Sequence, residues 1–222
     1  HPQYAICLTT FSKSALDKGL ILEGPHYSLN SLMNTKNKIP IKFNLNEVSN
    51  WNESLSLPLF PRNDSAEVFA KLREQPRLDL NIDTQWKVRP IQEMNTTFDR
   101  DKMNYLDDCP PNFWKVYKGA SFDIWKNDTG IYNAWADPDV VLQWLQKKRT
   151  KAKLSSKNSL YKDFDNNHIQ DMNTLHVLNP RIAFRDITNR TNSRTVIPCL
   201  IPPNTFATNT APVLIFSKGD KK

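Results

Sequence analysis

Asn179-Pro-Arg-Ile-Ala-Phe-Arg-Asp-Ile-Thr-Asn-Arg-Thr-Asn-Ser-Arg-Thr-Val-Ile-Pro-Cys-Leu-Ile-Pro-Pro203 reads as two strands around a polar turn. In the first strand, Arg181 to Arg185, the two-residue period places Arg181, Ala183 and Arg185 on one face and Ile182 and Phe184 on the other. Two guanidiniums therefore share a face. The turn from Asp186 to Thr195 adds Arg190, Asn192 and Arg194 among hydroxyl and amide groups, and Arg194 to Ile201 reads as the return strand. Arginine can read guanine bidentately and asparagine can read adenine, whereas Ser and Thr mostly position the backbone. The same residues also make ordinary turns, with Asp186 pairing across the hairpin to Arg190 or Arg194.

Downstream, the apolar run Val213 to Phe216 closes the pattern as a final strand. Upstream lies the best-specified helix. Asp137 caps it, Pro138 suits its first position, Val141, Trp144 and Leu145 form an apolar stripe, and Lys147-Lys-Arg149 complements the C-terminal dipole. From Lys147 to Asn167 the chain is rich in Lys, Ser and Asn without sustained periodicity, which predicts a mobile loop. Trp86 to Arg89 is a short strand, and Asp64-Ser-Ala-Glu67 is a capping box for a helix with Val68, Phe69 and Leu72 on its apolar face, ended by Pro76. Trp51 to Phe60 reads as an extended connection, and Tyr4 to Phe11 and Leu20 to Glu23 as two strands able to pair as a hairpin. The expected class is α+β, a mixed, mainly antiparallel sheet with a few helices.

At 222 residues and 39% hydrophobic the chain is large enough for one large or two small cores. Its charge is uneven: residues 146–222 carry fourteen Lys+Arg against five Asp+Glu, net +9, while residues 1–145 sum to −2. Clustered cations gain free energy on nucleic acid by neutralising phosphates and releasing counterions. Six basic residues in eleven, among them Lys147, Lys148, Arg149, Lys151 and Lys153, could track a phosphate backbone with little sequence preference. Trp114, Trp125, Trp135 and Trp144 could stack on unpaired bases or serve as core and groove walls. No apolar run of about 18 residues and no secretory leader is present, which predicts a soluble, cytoplasmic chain without a membrane partner. The abrupt start at His1 predicts an excised fragment or processed product. Cys7, Cys109 and Cys199 lack metal-ligand spacing and read as buried thiols, and His26, His168 and His176 as isolated structural or surface groups. Gly-rich phosphate loops, HExxH and GxSxG are absent, so catalysis has no evident home; Asp107-Asp108 and Asp163-x-Asp165 are the acidic pairs that could hold a divalent ion.

The segment 179–203 resembles the PR-x-x-FRD-x-x-x-x-T-x-x-RT-x-I signature of large adenine-N6 DNA methyltransferases. That family includes type IIG and IIL restriction-modification enzymes and the methylases of phage-defence systems such as DISARM and BREX. In the same order, His1 to Phe11 looks like a late strand of the methyltransferase domain, and Leu57-Pro-Leu-Phe60 with the 64–72 helix and Trp86-Lys-Val-Arg-Pro90 looks like the bridge beyond it. Tyr117-Lys-Gly119 and Phe122-Asp-x-Trp125 resemble the start of the target-recognition domain. The resemblance implies trailing methyltransferase strands over 1–45, a bridge over 46–110 and a DNA target-recognition domain over 111–222. Arg181, Arg185, Arg190, Asn192, Arg194 and Thr195 carry over as motif positions of that family, open to phosphate contact, base reading or folding. With Lys118, Lys147, Lys148, Arg149, Lys151 and Lys153, whose charge suits phosphate, they are the expected DNA-binding positions, the basic surface of 146–195 gripping backbone and loops near 118–135 and 150–175 reading bases. The family's Asn/Asp-Pro-Pro-Tyr/Phe motif and its S-adenosylmethionine loop are not in this sequence. The implied role is sequence-specific recognition of double-stranded DNA, without a cofactor of its own, for an upstream methyltransferase domain that binds S-adenosylmethionine and flips the adenine. The rival readings are a nuclease or methylase with an unrecognised site, and an interaction module whose basic face meets an acidic protein.

Overall fold

The computed structural model describes residues 19–24, 26, 28–34, 40–51, 60, 63–75, 78, 86–155, 159–189 and 191–218. The expected strand Tyr4 to Phe11 lies outside them. The chain divides into two compact units, His1–Pro76 and Arg77–Lys222.

In the first unit β1 (Gly19–Leu22) pairs antiparallel with β2 (Ile41–Asn44), which follows the short α1 (Leu29–Met33). The chain passes from β2 directly into α2 (Leu45–Trp51), and α3 (Asn63–Arg73) follows. Trp51 thus ends a helix where an extended connection was expected. Its indole meets Phe43 edge-on at 4.8 Å and Phe69 at 5.1 Å, while Phe60 closes the ring of aromatics at 5.3 Å from Phe69. Edge-to-face packing of this kind adds to the area each ring buries. On α3 the buried stripe is Ala66 with half-buried Phe69; Val68 and Leu72 face solvent, contrary to the sequence-based stripe.

In the second unit β3 (Lys87–Ile91), β4 (Trp114–Tyr117), β5 (Ala134–Ala136), α4 (Pro138–Ser155), α5 (Asn166–Gln170), β6 (Arg181–Phe184), β7 (Pro198–Ile201), β8 (Thr205–Ala207) and β9 (Val213–Lys218) follow in order. They form a four-stranded sheet, β3-β9-β6-β7, and a three-stranded sheet, β5-β4-β8, in which only β4 and β8 run parallel. The class is α+β with mostly antiparallel sheets. Pro90 and Pro198 sit on β3 and β7, the two edges of the larger sheet, where a missing ladder donor costs least.

Alternation along β4 and β8 separates two cores. Val116 and Phe206 face α4 with Val141, Leu145 and Val177; Tyr117 and Ala207 face the larger sheet with Ala183, Ile201, Val213 and Ile215. The smaller sheet is therefore the middle of three layers, with α4 on one side and the larger sheet on the other. Asp137 caps α4 as expected, its Oδ1 accepting the Asp139 N–H at 2.9 Å, but the helix runs on to Ser155. Ala152 and Leu154 favour helix, and Lys153 donates to the Phe164 carbonyl at 2.6 Å. The expected mobile loop is thus largely ordered: helix to Ser155, a 3-10 turn at Leu160–Asp163, and α5, capped by the Asp165 carboxylate.

The arginine face of β6 is its inner face. Arg181 and Ala183 are buried, and the Arg181 guanidinium makes a two-bond ion pair with Glu93: Nε to Oε1 at 2.8 Å and Nη2 to Oε2 at 2.7 Å. Nη2 also donates to the Thr205 carbonyl at 2.6 Å, and Glu93 Oε2 accepts the Ala207 N–H at 2.8 Å. The pair thereby ties β6 of one sheet to β8 of the other. Arg181→Met, which leaves the Glu93 charge buried and alone, is expected to cost about 3–5 kcal/mol in urea unfolding. Adding Glu93→Gln, which removes the orphan charge and keeps an acceptor for Ala207, is expected to recover part of that loss.

Candidate nucleic-acid interface

The basic positions read from the sequence separate into groups the fold consumes and groups it presents. Arg181 belongs to the first, since its side chain is 4% exposed and engaged with Glu93 and the Thr205 and Pro202 carbonyls; it holds the sheets together and has no surface for phosphate. Arg149 joins it, donating to Thr174 Oγ1 at 3.0 Å and to the Asp171 carbonyl at 2.6 Å. Burial pushes the Arg149 guanidinium below its ordinary value, with Tyr161 and Asp171 opposing. Lys148 is exposed along its length, yet its ammonium turns back to the Gln92 and Glu93 carbonyls, 3.1 and 2.9 Å away, over the Trp144 ring. Burial lowers its pKa while the Asp99 and Glu93 charges resist. Lys153 is spent on Phe164.

Lys147 and Lys151 are presented. They lie one turn apart on exposed α4 and, with Gln146, Thr150, Leu154 and Ser155, line a wide-open groove of about 500 Å³. Arg194 and Thr195 are exposed in the segment before β7, and Asn192 is half-buried there. Thr188 Oγ1 donates to the Thr195 carbonyl at 3.0 Å and the Asn192 N–H to the Asn189 carbonyl at 3.0 Å, so one side-chain and one backbone closure shape this turn. Arg190 lies outside the described residues. The return strand expected from Arg194 is paired only over Pro198–Ile201. Lys118 is half-buried, its N–H donating to Ser121 Oγ at 2.8 Å.

Arg185 does neither of these things. From the end of β6 its Nη2 donates to the Phe122 carbonyl at 2.8 Å and stands 3.5 Å from Asp123 Oδ2. It thereby joins two segments singled out in the sequence, 184–186 and 122–125. Gly119 packs beneath: a Cβ there would stand 3.0 Å from the Thr210 carbonyl oxygen and 3.6 Å from Arg185 Cγ, so a side chain would need that carbonyl to give by a few tenths of an ångström. The fastened segment is a tight hairpin in which Asp123 and Lys126 exchange two backbone hydrogen bonds of 2.9 Å. Trp125 occupies its tip at φ +64° and is 97% exposed. A left-handed conformation costs a non-glycine residue about 1–2 kcal/mol. Expectations of core or groove-wall packing therefore fail for this tryptophan, and no periodicity announces a tip residue.

Below the hairpin, Asp128 receives Lys115 Nζ at 2.7 Å, the Gly130 N–H at 2.8 Å and the Tyr132 hydroxyl at 2.9 Å. Thr129 donates through its N–H to Ser121 and through its hydroxyl to Ala120. Burial pushes the neighbouring Tyr117 phenol up, and the Asp128 charge adds to it. Tyr161 is pushed up to about 12, again by burial.

Of the acidic pairs considered for metal, Asp163 pairs with Lys87 at 2.7 Å and Asp165 caps α5, while Asp107 and Asp108 are exposed; no group of three metal-ligating side chains occurs among the described residues. Cys109 is exposed and Cys199 half-buried, both as free thiols, so neither is the buried thiol expected; Cys7 lies outside the described residues. Among the described residues no helix is long and apolar enough to cross a membrane. Glu93, unmarked in the sequence, is the structural residue that reading missed; its partner lies 88 positions away and no local spacing signals it. Comparison with family models, curated proteins and solved structures finds no match for this chain.

Burial by itself would raise the Asp128 carboxyl, but Lys115, Gly130 and Tyr132 outweigh it and hold the group below its ordinary value. A carboxyl held low in the folded state adds stability above its unfolded pKa of about 4 and loses it as pH falls through the lower folded value. The urea midpoint of the wild-type chain is therefore expected to drop more between about pH 5 and about pH 3 than that of Asp128→Asn.

Proposed function

We propose that this chain is the DNA target-recognition portion of a large adenine-N6 DNA methyltransferase, of the restriction-modification or phage-defence kind, working in the cytoplasm on double-stranded DNA. The reading rests first on the likeness of segment 179–203 to that family's signature. The observation that carries the DNA part is the exposure of Lys147 and Lys151 on one face of α4, in a third of the chain with net charge +9. Lys126 and Arg194 add exposed cations elsewhere in the same unit. In this reading the exposed lysines hold phosphates, the turn carrying Asn192, Arg194 and Thr195 offers groups for base edges, and Arg185 positions the 122–126 hairpin from inside. Methyl transfer, S-adenosylmethionine and the flipped adenine belong to an upstream domain of the parent enzyme.

Fluorescence anisotropy of the full chain on a labelled duplex, repeated across salt concentrations, tests the reading. Affinity is expected to fall steeply with salt, and Lys147→Glu/Lys151→Glu is expected to weaken binding at least about tenfold while reducing the log–log slope by roughly 2. A slope near zero, or an unweakened double variant, counts against it. Salt-sensitive capture of an acidic protein in place of duplex would favour the interaction-module reading.

A further inference from the structure

Trp125 differs from every other tryptophan of the chain. Trp51 and Trp86 lie against Phe43 and Phe216, and Trp114 stacks on Phe206 at 5.3 Å. Trp135 donates to the Leu106 carbonyl and leans on Tyr132, and Trp144 lies beneath the ammonium groups of Lys102 and Lys148. Trp125 instead projects from the tip of a two-residue turn, 97% exposed. Its frame is stiff. Asp123 and Lys126 close the turn with reciprocal bonds, Asp123 Oδ1 accepts the Ile124 N–H at 2.8 Å, and the fully buried Phe122 ring and Arg185 anchor the base. The tip therefore presents a large planar ring to solvent from a fixed backbone position, with the exposed Lys126 beside it.

An aromatic ring carried on a braced hairpin and flanked by a cation suits one kind of occupant, a column of stacked bases: the ring enters between base steps or fills the gap a displaced base leaves, while the cation meets the adjoining phosphate. Exposed Asp123 and Asn127 flank the tip, so it lacks the continuous apolar surface that a lipid interface engages. Resting on the DNA reading above, we propose that Trp125 is a wedge that stacks into an opened position of the duplex, and that Arg185 and Gly119 are its positioning residues.

The test compares the full chain on an intact labelled duplex and on the same duplex with one central abasic site, where the stack is already open. Wild type is expected to prefer the abasic duplex roughly tenfold. Trp125→Phe should keep part of that preference, and Trp125→Ala should lose it while showing an unchanged salt slope on the intact duplex, because phosphate contacts lie elsewhere. The tip supports no core, so the thermal midpoint of Trp125→Ala should match wild type. Salt-dependent binding by the wild type without any abasic preference, or a preference retained in Trp125→Ala, overturns the wedge and leaves the DNA reading standing. Absence of salt-dependent binding to either duplex overturns both.

Discussion

Between two β-sheets a guanidinium and a carboxylate lie almost wholly out of water, with side-chain exposures of 4% and 3%, and the second unit is arranged around their union. Desolvating both charges costs several kcal/mol each, so the pair is tolerable only because its remaining valences are met. Arg181 satisfies the Thr205 carbonyl as well as Glu93, and Glu93 satisfies the Ala207 N–H. Those bonds reach strand β8, the parallel neighbour of β4 in the middle layer. The ion pair consequently sets how the two sheets sit against each other, a directional constraint that the apolar contacts of Ala183, Ile201 and Val213 do not supply.

That constraint changes the meaning of the basic C-terminal third. A count of cations suggests a broad phosphate-binding face, yet Lys148, Arg149, Lys153 and Arg181 are engaged by carbonyls, a hydroxyl or a carboxylate of the same unit. Among the described residues, exposed cations of that third are placed by secondary structure, Lys147 and Lys151 by helical spacing, Lys162 by a 3-10 turn and Arg194 by the segment leading to β7. Arg185 illustrates an intermediate use. Its charge is partly met by Asp123, and its geometry serves to hold a projecting tryptophan.

Local pattern was sufficient where local physics decides. The cap at Asp137, Pro138 at the first helical position, the Val141 and Leu145 stripe and the strand at 181–184 all reappear, because capping and periodicity act within a few residues. The extent of α4 was not legible: lysine-rich sequence resembles solvated loop until Arg149 and Lys153 find carbonyl partners beyond the helix. The pairing of β1 with β2 was likewise not legible, since strand pairing depends on tertiary register and not on local pattern.

The amino-acid order thus determined the class of fold, the main helix, the strands of the 179–203 segment and a positive C-terminal third, all of them sums over neighbouring residues. Only the tertiary structure decided which face of β6 turned inward, that Glu93 would meet Arg181 across 88 positions, and that Trp125 would stand in solvent. The physical reason is range. Alternation assigns residues to two faces but carries no sign, and the inward face was set by a buried carboxylate that no local spacing could announce.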